Sequence, residues 1–473
     1  MRVGLVYPPS PFLLEQRVMP PLGILFVGAS LERAGHEVKI LDLTGVADWK
    51  KELPKLLNWS PDVIGFTGTT PQYPLTLAIR DYIRGAFGWF GPMVVGGIHV
   101  TSDPEGVWRD NWNAMVVGEG EVSAVNLVDD VARHHLTLRY ESPLVQNLDD
   151  LGHPARHLVD IRSYRYELDG KPATTTFSQR GCKYRCAFCE SPLAGGFQVR
   201  YHTPEWFRDD AVLCRDLGFQ GVHAFDDELN IDLKRLLRIC ELIEPLGMTF
   251  RGFFVASRST PELLRAMKRA GFWELLVGFE SGDPEVLKNI HKPQTVDIMR
   301  RFAAQVRESG IRWKAACIVG LPGESWDTIR KTDELLTECK PDDVDFSILQ
   351  VYPGSPIARN EAEYRAKGLS WDIDYHNLDR MWYKAAPGDY QKLVQVRTTA
   401  MTQEELVLAR DWLEARHKPE DWKRKFGVKA PGDRLDPDLS YVREWAKRLR
   451  ESAEKDEPGH RREESSAGPH VGA

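Results

Sequence analysis

A chain of 473 residues can form roughly two to four domains, and 42% hydrophobic and 28% charged residues are typical of a globular protein. A net charge of −7 argues against a general nucleic-acid binder, and no apolar run reaches the roughly 20 residues of a membrane span. The N-terminus lacks the apolar core of a secretory signal, and the seven cysteines do not resemble a secreted disulfide framework. We therefore expect a cytoplasmic protein without a membrane span or a nucleic-acid partner.

Residues 1–140 alternate short apolar strands with helical stretches. Five strands are predicted, in RVGLVYPP, VKILDL, DVIGFTG, PMVVGG and AMVVG, and PLGILFVGASLERAG has helical spacing. Apolar strands that alternate with helices indicate a parallel sheet covered on both faces. This pattern predicts an α/β, Rossmann-like domain whose ligand lies beyond the carboxyl ends of the strands.

Residues 141–170 read as a linker, and a second alternation follows over residues 171–357. Six strands are predicted, in ATTTFSQRG, GVHAFDDE, MTFRGFFVASR, ELLVGFESG, WKAACIVGLPGE and VDFSILQVYPGSP. After the first strand, a helix should begin with Thr203 as its N-cap and Pro204 at its first position. Six strand–helix units predict a partial (β/α)6 relative of the TIM barrel, with its chemistry at the carboxyl strand ends.

The C-terminal region, residues 358–450, is predicted to be mostly helical. The segment TQEELVLARDWLEARHK should form a helix capped by Thr402. Residues 375–401 are rich in aromatic and basic side chains, which either pack the open edge of the barrel or close over a substrate; we favour packing. Residues 451–473 are charged and poor in large apolar residues, so we expect a disordered tail.

Three cysteines lie close together in SQRGCKYRCAFCESPLAGG, directly after the first barrel strand. Cys182, Cys186 and Cys189 have the spacing C-x3-C-x2-C, with no fourth cysteine nearby. A structural zinc ion needs four ligands, so a zinc site would need a distant histidine such as His202 or His223. Three thiolates on a 4Fe–4S cube would instead leave one iron open for a substrate or cofactor.

The segment CKYRCAFC resembles the radical S-adenosylmethionine signature. Later barrel strand ends match that superfamily in the same order, with FDDELNID, VGFESGD, IVGLPGES and VYPGSP. The N-terminal half resembles the cobalamin-binding domain of one branch of the superfamily, in MPPLGILFVGASLERAGHEVKILDL, VVGGIHVTSDPEG and VVGEGE. The resemblance spans residues 1–360.

The resemblance implies roles for matching residues of the barrel. Cys182, Cys186 and Cys189 would bind three irons, and S-adenosylmethionine would chelate the fourth, so that reduction produces a 5′-deoxyadenosyl radical. The other predicted contacts are Asp227 and Glu228 near the methionine end, Arg258 near its carboxylate, Glu280 or Ser281 near the ribose, and Gly320 and Gly323 near adenine. Phe188, with Phe177 and Tyr184, would shield the cluster.

Each of these roles has a plainer alternative. Arg258, Asp227 and Glu280 could form salt bridges between neighbouring strand ends. The two glycines could be ordinary turn residues. The three aromatic side chains could simply pack in the core.

The cobalamin-binding half departs from a common family pattern. Many such domains carry Asp-x-His-x-x-Gly, in which the histidine binds cobalt, but the corresponding turn here is DLTGVADW. The resemblance therefore implies cobalt without that ligand. The residues predicted to contact cobalamin are Thr67, Thr69, Thr70, Gln72, Gly96, Gly97, His99, Gly118 and Glu119. His99 could alternatively be a capping or surface residue.

The resemblance implies a cobalamin-dependent radical S-adenosylmethionine enzyme. Its expected reaction is methylation of an unactivated carbon or phosphorus of a small-molecule or natural-product substrate, through methylcobalamin and the 5′-deoxyadenosyl radical. Its expected cofactors are a 4Fe–4S cluster, S-adenosylmethionine and cobalamin, and its electron donor would be a protein such as flavodoxin or ferredoxin. Two alternatives remain, namely radical ring formation or rearrangement without methyl transfer, and a non-catalytic cobalamin or iron–sulfur sensor.

Overall fold

The computed structural model describes residues 1–13, 15–375, 378–381 and 393–425. The predicted tail over 451–473, the end of the predicted helical region beyond residue 425, and residues 376–377 and 382–392 of the aromatic and basic segment 375–401 lie outside the described residues. In the part of the chain that is described, no helix is long and apolar enough to cross a membrane.

The N-terminal domain is a six-stranded parallel sheet with helices on both faces. Its strands are β1 (Arg2–Tyr7), β2 (Glu37–Asp42), β3 (Val63–Phe66), β4 (Met93–Val95), β5 (Ala114–Val117) and β6 (Arg139–Glu141). Its helices are α1 (Leu22–Arg33), α2 (Pro54–Leu57), α3 (Tyr73–Phe87), α4 (Ile98–Ser102), α5 (Pro104–Trp108) and α6 (Gly120–Ala132). Separate apolar cores fill the two faces of the sheet, which confirms the predicted α/β layers.

The strand order of this sheet is β2-β1-β3-β4-β5-β6. The direction of winding reverses between β1 and β3, and in such sheets a ligand binds in the crevice at this switch point. The five predicted strands are present. The sixth, β6, was not predicted because only three residues pair with β5 and a single one of them is buried.

The second domain is a curled half-barrel. The strands that follow β6 are β7 (Glu167–Leu168), β8 (Lys171–Thr176), β9 (Gln179–Arg180), β10 (Arg200–Tyr201), β11 (Gly221–Ala224), β12 (Thr249–Phe253), β13 (Phe272–Glu280), β14 (Arg312–Val319) and β15 (Asp343–Ile348). The six predicted strands, β8 and β11 to β15, lie side by side in parallel. Two additions were not predicted: β7 extends the sheet antiparallel to β8, and β9 pairs with β10 beneath the cysteine loop.

The helices of the second domain pack mostly on the convex face of the half-barrel. They are α7 (Ser191–Gly195), α8 (Pro204–Asp216), α9 (Leu233–Ile243), α10 (Pro261–Arg269), α11 (Pro284–Asn289), α12 (Val296–Ser309), α13 (Trp326–Cys339), α14 (Pro356–Arg359) and α15 (Glu361–Ala366). As predicted, the Thr203 side chain caps α8 by accepting from the Trp206 N–H. The largest apolar core lies between these helices and the outward-facing strand residues such as Val222, Val277 and Phe346.

The chain ends, as far as it is described, with a small hairpin and two helices. The hairpin pairs β16 (Leu369–Trp371) with β17 (Val396–Thr398), and the helices are α16 (Gln403–His417) and α17 (Glu420–Lys425). Thr402 caps α16 with a capping box, as the sequence predicts. Helix α16 packs against β15, the last strand of the half-barrel.

Candidate functional site

The cysteine loop follows β9 at the carboxyl end of the first barrel strand. It carries the three predicted iron ligands, Cys182, Cys186 and Cys189. Two backbone hydrogen bonds hold its centre between later parts of the barrel: the Ala187 N–H donates to Ile290 O at 2.9 Å, and the Ile357 N–H donates to Ala187 O at 3.0 Å. The loop is therefore fixed in the mouth of the half-barrel, where the sequence predicts the chemistry.

The thiols are arranged differently from the ligands of a single ion. Among the described residues, no three His, Cys, Asp or Glu side chains converge in the way that one metal ion requires. On an iron–sulfur cube, three thiolates bind three different irons and do not share one centre. The two histidines of the zinc alternative have other partners: His202 Nδ1 lies 3.0 Å from Asp149 Oδ1, and His223 Nδ1 lies 3.2 Å from Tyr166 Oη.

The environment of the thiols suits an iron–sulfur cluster. Burial raises the pKa of both Cys182 and Cys186 to about 12, and Lys292 partly opposes this at Cys186. Iron would therefore have to displace protons from neutral thiols. Three closely spaced thiols with a buried lysine nearby match the donor type and the negative charge of a thiolate cluster.

Glu228, at the end of β11, has an unsatisfied carboxylate oxygen. Its Oε2 is buried without a hydrogen-bond partner in the described structure. Burial and the neighbouring Asp227 raise the pKa of Glu228 to about 8, and burial also raises the pKa of Asp227. Because a buried carboxylate without a partner is costly, this site fits a ligand that brings an ammonium group, as S-adenosylmethionine does.

The first acid of the same DDE motif has a structural task. Asp226 Oδ1 accepts hydrogen bonds from the backbone N–H groups of Ser178 and Gln179, at 2.5 and 3.0 Å. The carboxylate thereby joins the end of β11 to the start of the cysteine loop. The other two acids of the DDE motif, Asp227 and Glu228, face the cysteine loop.

Glu280 is held by a lysine that the sequence analysis missed. Lys292 Nζ lies 2.8 Å from Glu280 Oε1, so Glu280 does form a salt bridge, but its partner belongs to the loop after α11 and not to a neighbouring strand end. Burial acts to lower the pKa of Lys292, but Glu280 and Cys186 outweigh it and raise that pKa. Glu280 itself has a φ of +62° after a register shift in β13, and Ser281 beside it is buried.

Arg258 lies at the end of β12, beside the other predicted ligand residues. Its Nε donates to Asn230 O at 3.2 Å, and no salt bridge connects it to Asp227 or another acid in the described ranges. The remaining N–H groups of the guanidinium can bind a carboxylate, so the predicted role of Arg258 stays open as a prediction.

The turn after β14 contains both predicted adenine contacts. Gly320 has a φ of +94° and Gly323 a φ of +88°, so both require the left-handed region. Sequence analysis missed Glu324, whose buried carboxylate accepts from the Leu321 N–H at 3.2 Å and also from the Gly320 N–H. Burial raises the pKa of Glu324 to about 8. The sequence does contain a signal for this role, because Glu324 directly follows the second glycine of the segment GLPGES.

Aromatic side chains line the concave face below the cysteine loop. Phe188 and Phe177 are partly buried against the large core, which agrees with packing and leaves the shielding role untested. Phe225 is 39% exposed, and its ring lies 6.5 Å from Phe177 and 5.6 Å from Phe253 between centroids. These rings form an apolar wall that the sequence analysis did not identify.

In the N-terminal domain, Gln72 joins the loops that follow β1 and β3. Its Oε1 accepts from Thr69 N and Thr69 Oγ1 at 2.9 and 3.0 Å, and its Nε2 donates to Ser10 Oγ at 2.8 Å. Thr70 beside it is buried. The predicted cobalamin loop is thus a rigid element at the switch point, and the amide of Gln72 is already fully used.

His99 lies on α4, beside this loop, and is buried. Its Nδ1 lies 3.2 Å from Thr70 Oγ1, and its ring packs on Tyr73 with centroids 4.2 Å apart. Burial lowers the pKa of His99 to about 4, so the imidazole is neutral at physiological pH.

Glycines follow β4 and β5, so no side chains project from these positions at the carboxyl ends of the two strands. Gly97 has a φ of +100°, and a Cβ there would lie 2.5 Å from Thr67 Oγ1, while a Cβ on Gly96 would lie 3.3 Å from Val116 Cβ. Around Gly118, a Cβ would meet no atom within 4 Å, so the space beside it is open. An open, Gly-lined edge at the switch point fits a large flat ligand such as a corrin.

Glu119, the last predicted cobalamin contact, points across the domain boundary. Its carboxylate accepts from both terminal nitrogens of Arg200 at 2.8 and 2.9 Å and from Arg180 at 3.2 Å. Arg180 ends β9, two residues before Cys182. Glu119 therefore connects the predicted cobalamin edge to the cysteine loop.

Comparison with known families agrees with both sites. The B12 binding domain family matches residues 16–128, and the Radical SAM superfamily matches residues 176–336. The chain belongs to the cobalamin-binding branch of the radical S-adenosylmethionine enzymes. Its cofactors are accordingly a 4Fe–4S cluster, S-adenosylmethionine and cobalamin.

Known relatives align along most of the chain. An uncharacterized methyltransferase of Pyrococcus horikoshii is 28% identical over 76% of this chain and 82% of its own length. The anaerobic magnesium-protoporphyrin IX monomethyl ester cyclase of Synechocystis is 26% identical over 66% of this chain and 67% of its own. The structure of the methyltransferase TsrM from Kitasatospora setae, with cobalamin and a [4Fe-4S] cluster bound, has a TM-score of 0.67 at 19% identity and covers 96% of this chain and 99% of that one. This last likeness shows the shared fold.

We expect cobalamin to bind without a protein imidazole on cobalt. Full-length protein reconstituted with hydroxocobalamin and reduced to cob(II)alamin should show no nitrogen coupling from a histidine, because the loops after β1 and β3 contain no histidine and His99, on α4, is buried with its ring packed against Tyr73. His99→Gln should give the same electron paramagnetic resonance spectrum as the wild type. The spectrum should also be constant between about pH 6 and pH 8, since His99 is already neutral there. Histidine-derived coupling that disappears in His99→Gln would contradict this prediction.

Proposed function

We propose that this protein is a cobalamin-dependent radical S-adenosylmethionine methyltransferase that acts on an unactivated carbon or phosphorus of a small molecule. One observation carries the proposal. Helix α4, which follows the predicted cobalamin edge at Gly97, contacts the barrel mouth directly. Gly354 lies between the two, since a Cβ added to it would be 3.0 Å from Ser102 Cβ on α4 and 2.8 Å from Glu190 Oε1 at the end of the cysteine loop. Glu190 directly follows Cys189, so one surface of contact joins the two predicted cofactor sites.

The bound cofactors supply a methyl carrier and a hydrogen-abstracting radical, and the residues of the chain organise them. Cys182, Cys186 and Cys189 would hold the cluster, and the unpaired carboxylate of Glu228 would bind the amino group of S-adenosylmethionine. The concave wall that includes Phe225 and Phe253 would keep water away from the reacting carbon. Exclusion of water is a general requirement for controlling a reactive intermediate.

Radical ring formation is the second candidate. It is favoured by the similarity to the Synechocystis cyclase, which has a comparable identity to that of the methyltransferase relative. The same two domains serve both proposals, so they differ in the products formed from S-adenosylmethionine. We further propose a cytoplasmic location and an electron donor such as flavodoxin or ferredoxin, which a low-potential cluster requires.

The products distinguish these candidates. The reduced protein with both cofactors should convert deuteriomethyl S-adenosylmethionine to S-adenosylhomocysteine and 5′-deoxyadenosine in comparable amounts when it turns over a substrate. Ring formation would yield 5′-deoxyadenosine without matching S-adenosylhomocysteine. A sensor would yield neither product catalytically, and that result would contradict the proposal.

We expect Cys189→Ala to abolish 5′-deoxyadenosine formation while corrinoid stays bound, because the predicted cofactor sites lie on separate domains. The matched control is Cys339→Ala, which removes a buried thiol at the end of α13. This control should retain about four irons per chain after anaerobic reconstitution. Equal iron content and equal 5′-deoxyadenosine formation in Cys189→Ala would show that the loop does not hold the cluster.

A further inference from the structure

Four charged side chains form a buried group between the two domains. The acids Glu119 and Glu121 belong to the start of α6, and the bases Arg180 and Arg200 belong to β9 and β10, the hairpin beneath the cysteine loop. We call these four residues the interdomain charge cluster. The side chains of Arg200 and Glu121 are only 2% and 3% exposed, so the cluster is inside the protein.

The hydrogen bonds in the interdomain charge cluster cross the boundary in pairs. Arg200 binds both oxygens of Glu119, at 2.8 and 2.9 Å, while Arg180 bridges Glu119 at 3.2 Å and Glu121 at 2.6 Å. Bidentate pairing of arginine with a carboxylate fixes orientation as well as distance. The cluster therefore defines one relative placement of α6 and the hairpin.

Other contacts tie the same arginines to their surroundings. The Arg180 guanidinium lies 5.1 Å from the ring centroid of Phe26 on α1, a second contact with the N-terminal domain. Arg200 also donates to Val145 O and Gly195 O, at 2.6 and 2.8 Å. A shifted interface would break these bonds and leave buried charges without partners, which is strongly unfavourable.

The two ends of the interdomain charge cluster lie next to the two predicted cofactor sites. Glu119 directly follows Gly118, the open position on the cobalamin edge, and Arg180 lies two residues before Cys182. We propose that the interdomain charge cluster positions the corrin relative to the iron–sulfur cluster, with Arg180, Arg200 and Glu121 as positioning residues. This inference rests on the assignment of both cofactors to this chain.

The test measures the geometry between the cofactors in the full-length holoprotein. Glu121→Gln removes one charge without changing size, and Arg200→Lys keeps the charge but loses the two-pronged hydrogen bonding. Pulsed electron paramagnetic resonance would measure the dipolar coupling between cob(II)alamin and the reduced cluster. Glu141→Gln is the matched control, because the Glu141 side chain is exposed and its partner Arg139 lies in the same strand of the N-terminal domain, not in the second domain.

We expect a single narrow distribution of dipolar couplings in the wild type and in Glu141→Gln. In Glu121→Gln and Arg200→Lys the distribution should be broader and shifted. S-adenosylhomocysteine formation should fall on the order of 10–100-fold in Glu121→Gln and Arg200→Lys, because a displacement of reacting groups by about 1 Å can slow a reaction by that factor. A purely structural role would lower the unfolding temperature without altering the coupling in folded molecules.

Three results would overturn the inference. Unchanged coupling in both variants, with full iron and corrinoid content, would refute it and leave the proposed function standing. Loss of corrinoid or iron from the variants with retention in the control would assign these residues to cofactor binding. Absence of either cofactor from the reconstituted wild type would refute the inference and the proposed function together.

Discussion

Gly181→Ala should prevent assembly of the iron–sulfur cluster. Gly181 has a φ of +92°, and a Cβ there would lie 2.6 Å from Gln198 O, 2.8 Å from Gly195 O and 2.9 Å from Gly196 O. These are backbone atoms and cannot rotate away, and Gly196 O also accepts the Cys182 N–H at 3.1 Å. Alanine would therefore displace the first cysteine of the loop, beyond the roughly 1–2 kcal/mol cost of the left-handed backbone alone.

Iron content after anaerobic reconstitution measures this effect. The wild type should hold about four irons per chain, and Gly181→Ala should hold fewer than about one. Gly170→Ala is the matched control, because Gly170 also has a positive φ, +69°, but a Cβ there meets nothing within 4 Å. The control should keep its iron. Full iron content in Gly181→Ala would show that the loop tolerates the side chain.

Arg156→Met should destabilise the protein by about 3–5 kcal/mol, since it leaves the buried carboxylate of Asp210 without its positively charged partner. Arg156 donates to both oxygens of Asp210 at 2.8 Å and to Thr175 O at 3.0 Å. These bonds join the segment between the domains to α8 and to β8. Both side chains of the pair are almost fully buried.

The effect of Arg156→Met should depend on pH. Burial acts to raise the pKa of Asp210, but Arg156 and hydrogen bonds outweigh it and hold that pKa well below its usual range. A depressed carboxyl pKa stabilises the fold above the unfolded value of about 3.9, and this stabilisation is lost as the pH falls below it. The difference between wild type and variant should thus be full at neutral pH and shrink below about pH 4.

Denaturant unfolding of the two proteins at several pH values measures the difference. Arg139→Met serves as the control, because it breaks an exposed pair with Glu141 and should change stability by no more than about 0.5 kcal/mol. Equal losses in Arg156→Met and Arg139→Met would mean that the buried pair contributes nothing beyond a surface contact.

Much of the fold follows from local patterns in the sequence. Apolar strands closed by glycine predicted the parallel sheets, and Thr203 and Thr402 marked the starts of two helices, because capping depends on neighbouring residues. The three-cysteine loop was also a local signal. The strands that were missed, β6, β7, β9, β10, β16 and β17, have two or three residues each, too few for a period to be recognised.

The partners of charged residues could not be predicted in the same way. Glu119 and Arg200 are 81 positions apart and belong to different domains, and Arg156 and Asp210 are 54 apart. No periodicity connects such residues, because tertiary packing alone brings them together. Lys292 is only 12 positions from Glu280 but reaches it around a turn and α11, so spacing gave no indication of that pair.

Helix α16 has a consequence for how the chain can be shortened. Among the described residues β15 has no strand on its outer edge, and exposed strand edges promote association between molecules. Arg410 of α16 donates to Phe346 O at 3.3 Å, and Lys418 just beyond it lies 3.3 Å from Asp343. A chain that ends at residue 400 would lose this cover, so it should aggregate during refolding even though every predicted cofactor ligand is present.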